Sequence, residues 1–507
     1  MGSPTTLFAE YGTIIGTAVA GLYFIYSLWS WYRLRQFDGP WLARHSYVWL
    51  VRTLTDGKFH KTLPELHVKY GSTFRIGPND LVTDDPELLR RMAGIRGTRT
   101  YGRSNWYNTQ EFDSRARSVF SDTDTKRHDR YKASMSLGYS GKDVLSFEKD
   151  VDEVIKTFMK VLERDHLSND KETRVADFAL LCQFFTLDAI SKLGFGEPIG
   201  HLEHNSDRFG YINTIDNMIP IISAVSASPL ATAITNIPFI KRLIAPSRKD
   251  TSGVGRLLLL GDETARAALA SDLTTRHDMV ASWLRRGYPG DAERLSADIV
   301  TQLVAGSDTT ATAIKVTTLH LCTNARVLRK LRAELDAAEE AGAISSPVVT
   351  NREALALPYL QAVVREGLRI FVPVVAMLMK QVPAGGDVID GKFVPGGTRV
   401  GHSTWSMQRN AVYGRDVERF WPERWIEAGE EERVAMERQL DMMFGLGRWS
   451  CLGKPVAKME LNKIFVELFR RFDFEVMNPI EPVAAFPWVL FAVKKMHVRI
   501  TKREKTT

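Results

Sequence analysis

Cysteine is nearly absent. The 507 residues contain only Cys182, Cys322 and Cys451, far apart and odd in number. That excludes a disulfide framework and points to a reducing compartment. Internal repeats are also missing. No nucleic-acid motif accompanies the net charge of +7, which instead suits an acidic partner or the negative cytoplasmic leaflet of a membrane. No convincing flavin or nicotinamide domain is found, so electrons for any redox step come from a separate protein. What remains is ordinary globular text, 44 % apolar and 25 % charged, long enough for one extended unit with a large core.

Charge is absent from one stretch near the start. Tyr11 to Tyr32 carries none and is rich in Ile, Ala, Leu, Phe and Trp. About 20 such residues cross about 30 Å of hydrocarbon. Trp29, Trp31 and Tyr32 cluster at one end, and Arg33 and Arg35 come directly after. The positive-inside bias places the C-terminal side of the span in the cytosol. A cleaved signal peptide needs a basic start and a small-residue exit, and neither is present. The division expected is a luminal tail over 1–10, a single transmembrane helix over 11–32 and a cytosolic domain over 33–507. Asn217 to Ile240 is also charge-free but is broken by Pro220, Pro229 and Pro238. It reads either as a core helix pair or as a lid that dips into the bilayer.

Strands are expected at Thr73–Ile76 and Leu81–Thr83, in a hairpin around Asp390-Gly391, and in the alternating text of Ala485–Ile500. Helices are expected over Leu295–Cys322, Ala325–Ala341, Pro358–Ile370 and Val456–Arg471. Residues 98–125 and 425–443 read as loosely structured. The fold class is mainly α with a small β-sheet region.

Phe444-Gly445-Leu446-Gly447-Arg448-Trp449-Ser450-Cys451-Leu452-Gly453 precedes an apolar helical run. A cysteine thiolate can be the proximal ligand of haem iron, given a dry pocket, N–H donors and close backbone. The glycines allow close approach. Phe444 can shield the sulfur. Pro455 fits a first helical turn, so N–H groups after Cys451 would point at the sulfur and favour its anion.

This string resembles the haem-binding loop of the cytochrome P-450 superfamily, the haem-thiolate monooxygenases. The resemblance implies that fold, with haem b bound through Cys451 as the metal ligand and Phe444, Gly447, Trp449 and Gly453 along the loop. It also implies the endoplasmic reticulum membrane, and electrons from NADPH through NADPH–cytochrome P-450 reductase, with cytochrome b5 as an accessory donor.

Ala305-Gly306-Ser307-Asp308-Thr309-Thr310 sits inside a long helix although Gly306 costs about 1 kcal/mol there. Thr309 can bond back to the Ala305 carbonyl and bend the helix. The hexapeptide resembles the family's acid–alcohol motif. Thr309 would then orient oxygen and a water, and Asp308 would relay protons. Glu366 and Arg369 share a helix face, and with Arg424 they resemble the family's Glu-Arg-Arg triad, a structural lock. His128 and Lys132 match positions that meet the haem propionates, where the family commonly has Trp and Arg, and Lys380 matches another frequent propionate cation. Trp449 stands where Arg or His is common. Arg127, Arg130, Arg448, Lys454 and Lys458 match a basic face for an acidic reductase.

Family topology draws the substrate pocket from Trp106 and Tyr107, from Val300, Leu303, Val304 and Ala305, from Phe371 to Leu378 including Val374 and Val375, and from Trp488 and Val489. These walls are apolar and suit a lipophilic small molecule. Arg103 to Tyr107 and Gly138 to Lys142, with the Trp449 variant of the cysteine loop, resemble a fungal pisatin demethylase-like branch and imply specialised metabolism. Two other activities fit the same loop: a haem-thiolate isomerase or dehydratase that consumes no oxygen, and non-catalytic haem binding. The presence of Asp308 and Thr309 favours the monooxygenase.

Overall fold

The long helix Ala292–Thr323 is the axis of the fold. Asp291 starts it by accepting the Arg294 N–H at 2.8 Å. The computed structural model describes residues 4–94, 101–244, 246–250 and 252–504. Residues 1–3 of the expected tail, and 98–100 of the stretch expected to be loose, lie outside them. Helix Phe178–Phe195 lies antiparallel along the axis, with Gly194 against Gln302, Ile190 against Gly306 and Gln183 against Lys315. Its 18 residues are apolar enough to span a membrane, but 83 % of them are buried inside the body, so it is core. A Cβ on Gly306 would stand 2.6 Å from Ile190 Cγ1 of that helix. The glycine that weakens the long helix is therefore what lets the two axes meet.

Helix Pro358–Ile370 has the expected bounds, with Pro358 in its first turn. The expected hairpin pairs Asp387–Ile389 with Lys392–Val394. Asp390 and Gly391 turn it at φ +49° and +73°. The terminal text forms strands Ala484–Pro487, Phe491–Lys494 and His497–Lys502. One expectation fails: Glu430–Asp441, in a stretch read as loose, is a helix. It lacks a long apolar stripe, but it is built of good helix formers, and Glu430–Glu432 sit in the first turn where the helix dipole favours negative charge.

Five strands form the sheet nearest the site, in the order Thr73–Gly77, Asp80–Thr83, Arg399–His402, Lys380–Gln381, Gly102–Arg103. Its last pairing sets Arg103 directly opposite Lys380. Like charges facing each other across a ladder are destabilising.

A single helix runs from Pro4 to Arg33 and includes residues 4–10. Leu22, Phe24 and Ile25 are exposed on it. Its last turn docks on the body through buried Arg75, which donates to the carbonyls of Ser30 at 3.0 Å and Trp31 at 3.3 Å. The second charge-free stretch becomes helices Tyr211–Ala227, Pro229–Thr235 and Pro238–Ile244. The first two meet at 116° around Ser228, where Pro229 forbids continuation. Ile221, Leu230, Phe239 and Leu243 stand exposed on these helices.

Candidate active site

The cysteine loop is closed by its own backbone. Cys451 N–H donates to the Phe444 carbonyl at 2.6 Å. Gly445 and Gly447 take φ of +70° and +54°, conformations that a side chain would strain. The backbone N–H groups of Gly453 and Lys454, at the start of helix Lys454–Arg471, point at the sulfur as expected. Burial nevertheless wins and pushes the thiol above its usual range, against the lowering by those N–H groups and by Lys132 and Lys454. A helix terminus alone thus does not produce the anion. A metal at the sulfur would, since a coordinating thiol is deprotonated outright.

Cys451 lies deep in the body yet keeps open surface. Ala305, mid-helix and beside buried Val304, does the same. Such openings in the interior are what a flat macrocycle requires. Cys182 is sealed in the core, and burial pushes Cys322 up to about 12.

A knot of positive charge collects at one edge. Arg103 stacks 4.8 Å over Trp449 and 4.7 Å over Tyr107. Lys380, buried, donates to the Tyr107 hydroxyl at 2.7 Å and lies 4.7 Å from the Trp449 ring. Burial, then Arg103 and Lys132, pushes Lys380 well below the usual lysine range. Trp449 Nε1, Arg103 Nε and His402 Nδ1 are buried without hydrogen-bond partners. Converging cations and orphaned donors fit an anionic group there, as the two haem propionates are.

Two of the expected propionate contacts behave differently. His128 lies 4.7 Å from Trp449, but burial and Arg103 push it down to about 4, so it is neutral near pH 7. Lys132 donates to Arg448 O at 2.7 Å, Ser450 O at 2.6 Å and Ser450 Oγ at 3.0 Å. An ammonium has three donors, and all three brace the cysteine loop. Arg103 and His402 were not legible as site residues; the signal for Arg103 was its place beside Trp106.

On the long helix, Thr309 Oγ1 donates to Ala305 O at 2.9 Å, as expected, and the helix continues unbroken. Asp308 accepts from Gln183 Nε2 through Oδ1, while Oδ2 is buried and unpartnered. Burial raises its carboxyl to about 6, with Lys315 pulling the other way.

The triad is complete. Glu366 accepts two bonds from Arg369 at 2.8 Å, one from Arg424 at 3.1 Å, and one each from Trp421 N and Trp425 Nε1 at 2.9 Å. The arginines bind carbonyls of Gln408, Val417, Tyr413 and Asp416. The segment before the cysteine loop is therefore fastened to helix Pro358–Ile370.

The expected pocket residues do not all share one wall. A narrow crevice is lined by Leu50, Phe59, Trp106, Met377, Trp488 and Val489, with the Asp80–Arg399 ion pair at its side. Val300 packs on Gly261 of helix Gly253–Ala270, whose missing side chain admits it, so it is a helix–helix contact. Leu303 is buried. Val375 belongs to a separate cluster with Val316 and Phe491, whereas Val374 packs with Trp106 and Tyr107. The turn carrying Trp488 and Val489 is tied down by Val375 N and Ala376 N on Val489 O, at 3.3 and 3.1 Å, and by Phe491 N on Pro373 O at 2.9 Å. Val489 N donates to Ser223 Oγ of helix Tyr211–Ala227 at 2.9 Å. The expected basic face is partly neutralised. Lys454 and Lys458 share Asp441, Arg127 pairs with Asp122, and Arg448 lies 3.6 Å from Asp129.

Comparison with known proteins gives the family. Residues 39–500 match the family model described as Cytochrome P-450. The chain is 41 % identical over 479 residues to cytochrome P-450 monooxygenase ABA1 of Pyricularia oryzae, covering 93 % of each chain. It is 34 % identical over 478 residues to cytochrome P-450 monooxygenase aba1 of Botryotinia fuckeliana, again 93 % of each. Pisatin demethylase of Fusarium vanettenii is 31 % identical over 90 % of this chain and 86 % of its own. The chain belongs to the cytochrome P-450 family, and its enzyme class is monooxygenase.

Proposed function

We propose that this enzyme inserts one oxygen atom from O2 into a lipophilic small molecule, in fungal specialised metabolism. Its electrons come from NADPH through a separate reductase. The observation that carries this reading is the acid–alcohol pair, with Thr309 bonded back on Ala305 and Asp308 keeping one carboxylate oxygen free. An isomerase has no use for proton delivery at this place.

Cys451 would hold haem b through its sulfur, and Arg103, Lys380, Trp449 and His402 would meet its propionates; once bound, it would supply the oxygen activation. The protein does the rest. Phe444 and the glycines of the loop keep water from the sulfur. Lys132 fixes the loop carbonyls, and the triad holds the segment leading into it. Thr309 orients a water, and Asp308 brings the proton to it. Trp106, Val374, Trp488 and Val489 exclude water from the substrate. Thr309→Ala should keep NADPH consumption while product per NADPH falls by about tenfold or more and peroxide rises. Unchanged coupling would leave Thr309 as packing only. Incorporation of labelled dioxygen into product separates this reading from an isomerase.

The membrane reading is supported by the exposed apolar side chains of helix Pro4–Arg33 and of the lid helices Tyr211–Ile244. The enzyme is then a single-pass protein of the endoplasmic reticulum membrane, its catalytic body cytosolic, with both elements in lipid. The full-length protein should remain in microsomes through carbonate extraction, its body digestible by added protease. Release into the supernatant would remove the anchor.

A further inference from the structure

Behind Asp308 lies a chain of groups that the acid–alcohol pair does not account for. Gln183, on the neighbouring helix Phe178–Phe195, gives its Nε2 to Asp308. Its Oε1 faces Lys315 Nζ at 3.4 Å. Lys315 is a lysine with 3 % exposure in the middle of the long helix, and its charge meets no carboxylate within ion-pair distance among the described residues. It also donates to the Val493 carbonyl at 3.0 Å. The next residue, Lys494, pairs with Asp216 at 2.6 Å on the lid helix, and its side chain reaches the surface.

A buried ammonium is costly unless something requires it. Here it fixes the direction of an amide. Turned the other way, Gln183 would set N–H against N–H at Lys315 and oxygen against carboxylate at Asp308. Only the observed orientation satisfies both ends. Asp308 is therefore held by one oxygen, from one side, and its second oxygen stays free. The groups facing Asp308 are Lys315 on its own helix, Asp216 and Tyr211 on helix Tyr211–Ala227, and Lys494 on strand Phe491–Lys494. Cys182 and Asp177, on and before helix Phe178–Phe195, face Lys315.

We propose that Gln183 and Lys315 are positioning residues for proton delivery, holding Asp308 in one pose. This rests on Asp308 being the relay acid. In each delivery one proton leaves Asp308 toward the Thr309 side, and one returns from water at the surface. No electrons move in the relay, and Lys315 passes on no proton.

The test compares Asp308→Asn, Lys315→Met and Gln183→Met in the haem-loaded, full-length enzyme. Two readouts are used: product per NADPH across pH 5–9, and infrared titration of the buried carboxyl band that Asp308→Asn removes. Wild type should show a step near Asp308's value of about 6 in both. Lys315→Met removes a cation that favours the charged carboxylate, so the band should titrate higher by about 1 pH unit or more. The coupling step should move with it. Gln183→Met, uncharged and of similar size, should move it in the same direction and serves where Lys315→Met does not fold. An unmoved band and unmoved coupling in a folded Lys315 or Gln183 variant, with Asp308→Asn defective, overturn the proposal and leave Asp308 as relay. A fully coupled Asp308→Asn overturns both.

Discussion

Cys451→Ala should yield a chain that no longer gives the far-red-shifted Soret band with carbon monoxide on reduction, and that makes no product. The reason lies in the loop. Two glycines at positive φ, the Cys451–Phe444 bond and three contacts from Lys132 hold one sulfur in one place. Neither other cysteine can replace it. Cys182 is buried on helix Phe178–Phe195, and Cys322 lies near the far end of the long one. The measurement is the reduced carbon monoxide difference spectrum of wild type and variant at equal protein. A wild-type band placed like that of a globin, which binds haem through imidazole, would end the thiolate assignment. So would a variant with the wild-type spectrum.

Glu366→Ala should cost about 3–5 kcal/mol, because it strands two buried guanidinium groups while the carbonyls they bind remain. Against a total stability of about 5–15 kcal/mol, that is enough to prevent accumulation of folded, haem-loaded enzyme. Glu366→Gln keeps the shape but turns an amide N–H toward an arginine, so it should also be strongly destabilised. The readouts are haem per polypeptide after purification and the midpoint of thermal unfolding. Lys458→Ala, on the exposed pair with Asp441, should lie within about 0.5 kcal/mol of wild type. If Glu366→Gln retained full haem content and its melting midpoint, the triad would be an ornament of the meander and not its fastening.

What the residues reveal in advance depends on whether local chemistry dictates the outcome. The Asp390-Gly391 turn and the start at Pro358 were legible because each rests on a single backbone constraint. Helix Glu430–Asp441 was not, since its mainly polar surface gives no periodicity to read. The Asp308–Thr309 pair was visible as poor helix formers inside a helix, although the reason for Gly306 is an approach by Ile190 that no linear motif contains. Val300 and Val375 read as pocket wall because apolar side chains on neighbouring turns look alike until their neighbours are known. Lys315 was visible in principle as the lone charge in Ala311–Leu321, an otherwise apolar and hydroxyl-bearing run apart from His320. Arg103 facing Lys380 arises only when distant strands pair.

The turn at Val489 meets its two neighbours on unequal terms. Three main-chain bonds weld it to the 373–376 segment, and a single serine hydroxyl links it to the helix above. If helix Tyr211–Ala227 were drawn away from the turn, that lone link would be the one to part, and Trp488 and Val489 would stay with the 373–376 segment.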